Sequence, residues 1–263
     1  MTKDTDSRKG PDSRRKALAD HVLSAGSVSA ADLAELFGVS LMTIHRDLDE
    51  LERQGIVRKY RGGVTAQPSG VFESNVAFRK KSMQGAKDAI AEHVAGMVEP
   101  GMAVMLDDST TALALARQLV GITPLTVVTN FLEAINLLAR ERDIRLMALG
   151  GDYDPLHDSF LGVSCVDAIE SLRVDLCFVS TSAVSGGFAY HQEQHIVSVK
   201  RAMLDAAARS VLLVDHTKLG RVALHRVAPL SVFDRVVVDD GASAEALREL
   251  DEHKVVHEVA ATS

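Results

Sequence analysis

Between residues 40 and 64 the spacing of apolar side chains changes from a helical period to a strand-like one. Ile44, Leu48 and Leu51 recur at i, i+4 and i+7, which puts them on one stripe of a helix. At about 100° per residue, Met42, Arg46, Asp49 and Arg53 project from the other side. Gly38-Val39 supplies a turn before this helix, and Ser40 can accept the first free backbone N–H groups as its N-cap. Past Gly55 the period becomes two: Ile56, Arg58 and Tyr60 face one way, and Val57, Lys59 and Arg61 the other. Gly62-Gly63 then permits a tight hairpin turn. Upstream, Ser29-Ala30-Ala31-Asp32 has capping-box spacing, and Leu33, Leu36 and Phe37 form an apolar face that stops at Gly38. An earlier helix starts at Arg14-Arg15-Lys16 and carries Leu18, Val22 and Leu23. Taken together these segments read as helix, turn, helix and basic wing.

A helix with a buried back and an arginine-bearing front is what a DNA major groove accepts. The candidate DNA-binding residues are Ser40, Met42, Thr43, His45, Arg46 and Arg53 on the helix, with Lys59 and Arg61 on the wing. Asp47, Asp49, Glu50 and Glu52 argue for a merely solvated helix, because they dilute the positive field. The order of turn, helix and basic wing outweighs that objection. The triplet at 14–16 fits phosphate contact and simple solubilisation equally well.

After a Pro68-Ser69-Gly70 break the rhythm changes. Apolar strands are expected at 102–106, 125–129, 144–149, 174–180, 211–214, 235–238 and 254–259. Helices are expected at 87–98, 110–119, 131–140, 163–172, 194–208 and 243–253. Continuous apolar strands alternating with helices predict a mostly parallel, doubly wound sheet covered on both faces. Polar loops fall at the carboxyl ends of those strands, where such sheets bind ligands. Asp107, Ser109, Thr110 and Thr111 open one helix, whose free N–H groups suit an anion. Thr129, Asn130, Gly151, Thr181 and Lys218 stand at other strand ends, and the nine residues form the candidate effector site. Each loop alone could simply cap a helix, but the set is hard to obtain that way. The expected architecture is α/β: a polar tail at 1–13, a small winged helix-turn-helix domain at 14–66, a linker at 67–85 and a larger parallel-sheet domain at 86–263.

The 263 residues carry a net charge of −7, so any DNA contact has to be local, with the acidic remainder facing away. Cys165 and Cys177 have neither zinc spacing nor a partner framework and read as buried thiols. His191 and His195 stand four apart, but Gln192 follows the first and no third ligand is visible, so no metal is expected. A Gly-rich dinucleotide fingerprint and a Gly-x-Ser-x-Gly nucleophile elbow are both lacking, and no cofactor is expected. There is no run of membrane-span length and no signal-peptide core, which predicts a cytoplasmic protein without a membrane partner.

Val39-Ser40, Thr43-Ile44, Arg46-Asp47-Leu48, Leu51, Gly55 and Arg61-Gly62-Gly63 resemble the winged helix-turn-helix of the DeoR family of bacterial transcriptional regulators. That family usually has two arginines where His45-Arg46 stands. The second region is similar to the family's carboxy-terminal effector domain, itself similar to ribose-phosphate isomerases. The matching pieces are Asp107 with Thr110-Thr111, Val128-Thr129-Asn130, Gly150-Gly151, 159–162, 200–203 and 214–218. Ser109 and Ala183 stand where the family commonly has glycine, and Asp108 adds a carboxylate that needs Lys218 or another cation beside it. The resemblance implies a repressor of carbohydrate-metabolism genes that binds double-stranded operator DNA as a homodimer or homotetramer. A sugar phosphate or polyol would control it. The alternative is an isomerase-like enzyme with an accessory DNA-binding domain, Asp107 or Asp215 acting as base and Lys218 as electrophile.

Overall fold

The computed structural model describes residues 11–25, 27–53, 57–60, 62–66 and 76–262. The chain divides into two compact units, Met1–Glu73 and Ser74–Ser263. In the first, α1 (Pro11–Ala25), β1 (Ser27–Ser29), α2 (Ala30–Phe37), α3 (Leu41–Arg53), β2 (Val57–Tyr60) and β3 (Gly63–Ala66) follow in order. Helix α1 begins three residues before the expected Arg14, with Pro11 in the first turn, where its missing N–H costs nothing. Ser29 caps α2 by accepting from Asp32 N at 3.0 Å, and Gly38 closes it at φ 61° in the left-handed region. Leu33 is fully buried but Leu36 is 59% exposed, so the expected apolar face of α2 is narrower than its sequence.

Strand β3 lies between β1 and β2, both antiparallel to it. Tyr60 pairs with Gly63, so Gly62 lies in the turn and Gly63 belongs to the strand. A Cβ on Gly63 would come within 2.7 Å of both Val28 O and the Tyr60 hydroxyl, which explains why glycine stands there.

The second unit opens with α4 (Val76–Lys81) and α5 (Gln84–Ala95), so helix occupies part of the segment read as linker. Then come β4 (Ala103–Leu106), α6 (Thr110–Leu119), β5 (Leu125–Thr129), α7 (Leu132–Leu138) and β6 (Ile144–Ala148). The short β7 (Asp152–Asp154) and β8 (Ser159–Leu161) precede α8 (Val163–Glu170) and β9 (Val174–Ser180). After β10 (Ala183–Ser185) and β11 (Phe188–His191) run α9 (Gln194–Asp205), β12 (Ala207–Val214) and β13 (His225–Pro229). The unit closes with β14 (Arg235–Asp239), α10 (Ala244–Glu252) and β15 (His257–Ala260).

Among the described residues seven strands form one wholly parallel sheet, in the order β15-β14-β12-β9-β4-β5-β6. The expected doubly wound α/β fold is therefore present. One core face gathers Ile90, Val94, Leu113, Leu115, Phe131 and Phe178; the other gathers Met105, Cys177, Ile196, Met203 and Leu212. The two hairpin-scale additions, β7-β8 and β10-β11-β13, were not legible as strands, being three to five residues long and half polar. No helix among the described residues is long and apolar enough to cross a membrane.

Candidate functional site

In the first unit, α3 presents the expected faces. Ile44, Leu48 and Leu51 are buried, whereas Met42 is 82% exposed and His45, Arg46 and Arg53 are exposed. Ser40 Oγ accepts from Thr43 N at 3.2 Å and lies 2.9 Å from Thr43 Oγ1, so both hydroxyls help to hold the start of the helix. The acids that argued against a DNA surface are largely engaged. Asp47 is buried and accepts from Arg14 Nε at 2.7 Å, and Glu50 pairs with Arg53. Arg14 thus anchors α1 to α3, a role that neither sequence reading of the basic triplet contained. Lys59 turns back toward α3: its N–H donates to Glu52 Oε1 at 2.7 Å and its ammonium to Asp49. Arg58, on the opposite face of β2, is exposed. Arg61 lies outside the described residues.

In the second unit, the strand ends converge on a buried ionic group. Asp107 follows β4; its Oδ1 accepts from Ser109 N at 3.0 Å, and its Oδ2 accepts from Ser180 N at 2.7 Å and Lys200 Nζ at 2.5 Å. Asp108 accepts from the same ammonium at 3.3 Å through Oδ1 and from Ser159 Oγ at 3.1 Å through Oδ2. Its carbonyl oxygen accepts from Arg79 Nη1 at 3.2 Å. Burial by itself would raise the Asp108 pKa, but Lys200, then Arg79, His157 and His191, hold it well below the usual carboxylate range. Burial likewise opposes charge on Lys200, and the two aspartates overcome it, leaving the amine's pKa raised. Burial first, then Lys200, pushes His191 down to about 3. The neutral ring accepts Glu193 N at 3.2 Å through Nδ1, which leaves the proton on Nε2.

The predicted residues divide around this group. Asp107, Ser109, Thr110 and Thr111 are buried together at the start of α6, with Ser109 Oγ capping Ala112 N at 3.0 Å. Thr110 Oγ1 reaches Arg79 O at 3.4 Å. Asn130 Nδ2 donates to Phe160 O at 3.0 Å, while its buried Oδ1 has no hydrogen-bond partner among the described residues. The buried Ser180 Oγ and His157 Nδ1 also lack hydrogen bonds there. Thr129 is spent locally, its hydroxyl accepting from Phe131 N at 3.1 Å, and the Thr181 hydroxyl is held by Tyr190 O. At Gly151 a Cβ would meet Leu161 O at 2.2 Å, so packing against β8 accounts for the glycine. Lys218 lies 3.7 Å from Asp215 rather than beside Asp108. Burial favours a protonated Asp215, but Lys218, the Thr217 hydroxyl and Lys87 lower its pKa.

The cation that Asp108 requires is therefore Lys200, not Lys218. Its signal was present in the sequence: Lys200 sits four after Ile196 and three before Met203, on the buried stripe of α9. A charge on an apolar stripe calls for a buried counter-charge. Arg79 escaped notice because its helix lay in the presumed linker. A separate cleft at the strands' starting edge, lined by His93, Arg209, Asp234, Arg235 and Glu258 among others, contains none of these groups.

Residues 82–240 match the model described as the DeoR C terminal sensor domain, and residues 14–69 the DeoR-like helix-turn-helix domain. The chain belongs to the DeoR family of transcriptional regulators. It is 35% identical over 240 residues to the uncharacterized HTH-type transcriptional regulator YgbI of Escherichia coli K12, covering 91% of this chain and 94% of that one. It is 31% identical over 243 residues to the glycerol-3-phosphate regulon repressor of the same organism, covering 92% and 96%. Among solved structures, ribose 5-phosphate isomerase A from Methanocaldococcus jannaschii is similar over 54% of this chain and 56% of that one, at 18% identity and a TM-score of 0.38. As a DeoR-family regulator the chain has a helix-turn-helix unit, which contains α3, and a sensor unit.

Proposed function

We propose that this regulator is a repressor of carbohydrate-metabolism genes, that it binds operator DNA as a homo-oligomer, and that a sugar phosphate occupies the strand ends of its sensor unit. The observation that carries the reading is electrostatic. Against the carboxylates of Asp107, Asp108 and Asp215, the strand ends carry Lys200, Arg79, Lys87 and Lys218, so the cations of this group outnumber its anions by one. The start of α6 adds backbone N–H groups suited to an anion. Asn130 Oδ1 and Ser180 Oγ are buried acceptors whose hydrogen-bonding capacity suits sugar hydroxyls. Relatedness to a glycerol-3-phosphate regulon repressor supports a phosphorylated polyol or sugar over a neutral one. Helix-turn-helix proteins read paired half-sites as symmetric oligomers, which supports a dimer or tetramer.

The same geometry counts against the enzymatic alternative. A general base needs a free oxygen and a pKa near the working pH; both Asp107 oxygens are engaged, by Ser109 N and by Ser180 N with Lys200, and Asp215 is held below the ordinary carboxylate value. Thermal melting of the full chain against sugars and their phosphates tests the reading, because a ligand that binds only the folded state raises the melting temperature. A rise with phosphorylated sugars, coupled to loss of operator binding and no turnover of ribose 5-phosphate, is the expected result. A rise with unphosphorylated polyols alone would replace the sugar phosphate, and isomerisation would restore the enzyme.

A further inference from the structure

Beside the ionic group, a second cluster joins two loops that the sequence keeps far apart. Asp154 ends β7 and His157 lies in the turn between β7 and β8; Glu193 and His195 stand at the start of α9. One ligand atom from each of the four lies within 4.8 Å of all the others. His157 Nε2 is 3.0 Å from Glu193 Oε2, His195 Nε2 is 3.1 Å from the same oxygen, and His195 Nε2 is 3.5 Å from Asp154 Oδ2. A tetrahedral zinc ion with bonds of about 2.0–2.1 Å separates its ligand atoms by roughly 3.3 Å. The observed spacings straddle that value.

We propose that Asp154, His157, Glu193 and His195 bind one divalent first-row transition-metal ion, of which Zn²⁺ fits best. Three further features favour coordination over a loose set of ion pairs. His157 is 1% exposed, and its other nitrogen, Nδ1, makes no hydrogen bond among the described residues yet lies 4.0 Å from Asp108 Oδ2. A metal-bound imidazole characteristically turns its remaining N–H toward such a carboxylate. Asp154 is already oriented, since its Oδ1 accepts from Leu156 N at 2.8 Å and His157 N at 3.3 Å, leaving Oδ2 toward His195. His195 is half exposed, which leaves a path for the ion. Two imidazoles select against Mg²⁺ and Ca²⁺, which prefer all-oxygen shells. His191, the residue that made the local spacing look metal-like, is excluded because its Nδ1 is occupied by Glu193 N. The ion would fasten the β7-β8 turn to α9, the helix that carries Lys200, through groups that border the sensor site without being part of it.

The test is a Co²⁺ titration of the chelator-stripped full-length protein under reducing conditions, followed in the visible spectrum and by Zn²⁺ competition. One equivalent should bind with the intense absorption of a four-coordinate N/O site. E193Q and H195A should each weaken binding about tenfold or more, and the double variant should abolish it. Replacing Cys165 and Cys177 should leave the titration unchanged, because both thiols are buried and burial raises their pKa values. Zn²⁺ should raise the melting temperature of the wild type and not of the folded double variant. Failure to bind at micromolar Co²⁺, or equal binding by the double variant, would overturn the site. Neither result depends on which effector the regulator senses.

Discussion

Lys200 shows how much one buried side chain can carry. Its ammonium is the shared donor of Asp107 and Asp108, and all three groups are at most 5% exposed. Removing a cation from such a triad strands buried negative charge, which costs more than the intact pairs contribute. Lys200→Met should destabilise the protein by about 3–5 kcal/mol in urea unfolding, although methionine matches the methylene stem. A loss under 1 kcal/mol would mean that the aspartates are hydrated and the group is not closed. Lys200, Asp108 and the separate Asp215–Lys218 pair set the pH response. Asp108 and Asp215 have folded pKa values below their ordinary 3.8, so their stabilisation is complete above that value and is lost as pH falls through the folded pKa values. Lys200 is raised above 10.5, so its contribution holds below that value and disappears only at still higher pH. Stability from this group should stay level from about pH 5 to 9 and fall below about pH 4, with Asp215→Asn showing a shallower acid limb in urea melts at each pH. An unchanged limb would remove Asp215 from the account.

At the level of elements, α3 and the wing carry separate predictions for DNA binding. Arg46 is exposed near the amino end of α3, where a recognition helix reaches base edges. Arg46→Ala should cost about 1–3 kcal/mol in operator binding and relax specificity, because arginine pairs bidentately with guanine. Full operator affinity in the folded variant would refute that contact. On β2, Arg58 is exposed while Lys59 is tied to Asp49 and Glu52 of α3. Arg58→Ala should therefore weaken operator and random DNA alike and flatten the salt slope by about 0.9 per lost phosphate contact. Lys59→Ala should act mainly by loosening the wing, seen as a lower melting temperature with a smaller change in slope. The reverse ranking would show that the salt bridges open on DNA. The alternation of residues 57–60 was readable from period alone, but which face met α3 was not. That depends on Asp49 and Glu52 projecting toward β2, a tertiary fact. Periodicity located the seven parallel strands because most of them are largely apolar runs between helices. It missed β7, β8 and α4, whose short half-polar sequences carry no period, and with them Arg79, Asp154 and His157. The parallel sheet could be read in advance, but only part of the ionic group could, because contacts such as Asp107 to Lys200 join residues 93 apart.

Across the whole molecule, sensing and DNA binding reside in different units, so they should be separable by mutation. An effector moves the operator equilibrium only by as much as it prefers one state of the regulator, and a tenfold shift needs about 1.4 kcal/mol. Thr110 and Lys218 are the positions where that preference is most directly tested. Thr110 sits at the start of α6 with its hydroxyl toward Arg79 O, and Lys218 stands 3.7 Å from Asp215, one-fifth exposed and able to turn toward an anion. Neither belongs to the triad around Lys200. Thr110→Val keeps shape and removes a hydroxyl; Lys218→Met keeps the stem and removes a charge. Both variants should bind operator as the wild type does and lose most of the response to effector. A phosphorylated effector makes Lys218→Met the more damaging, because a desolvated phosphate is left short of a cation. A neutral polyol reverses the order, since only a hydrogen bond is then at stake. The measurement is an operator-binding titration at increasing effector concentration, with fold confirmed by melting. A normal response in both variants would move the sensor site away from these strand ends, and loss of operator affinity without effector would show that the two positions support the DNA-binding state itself.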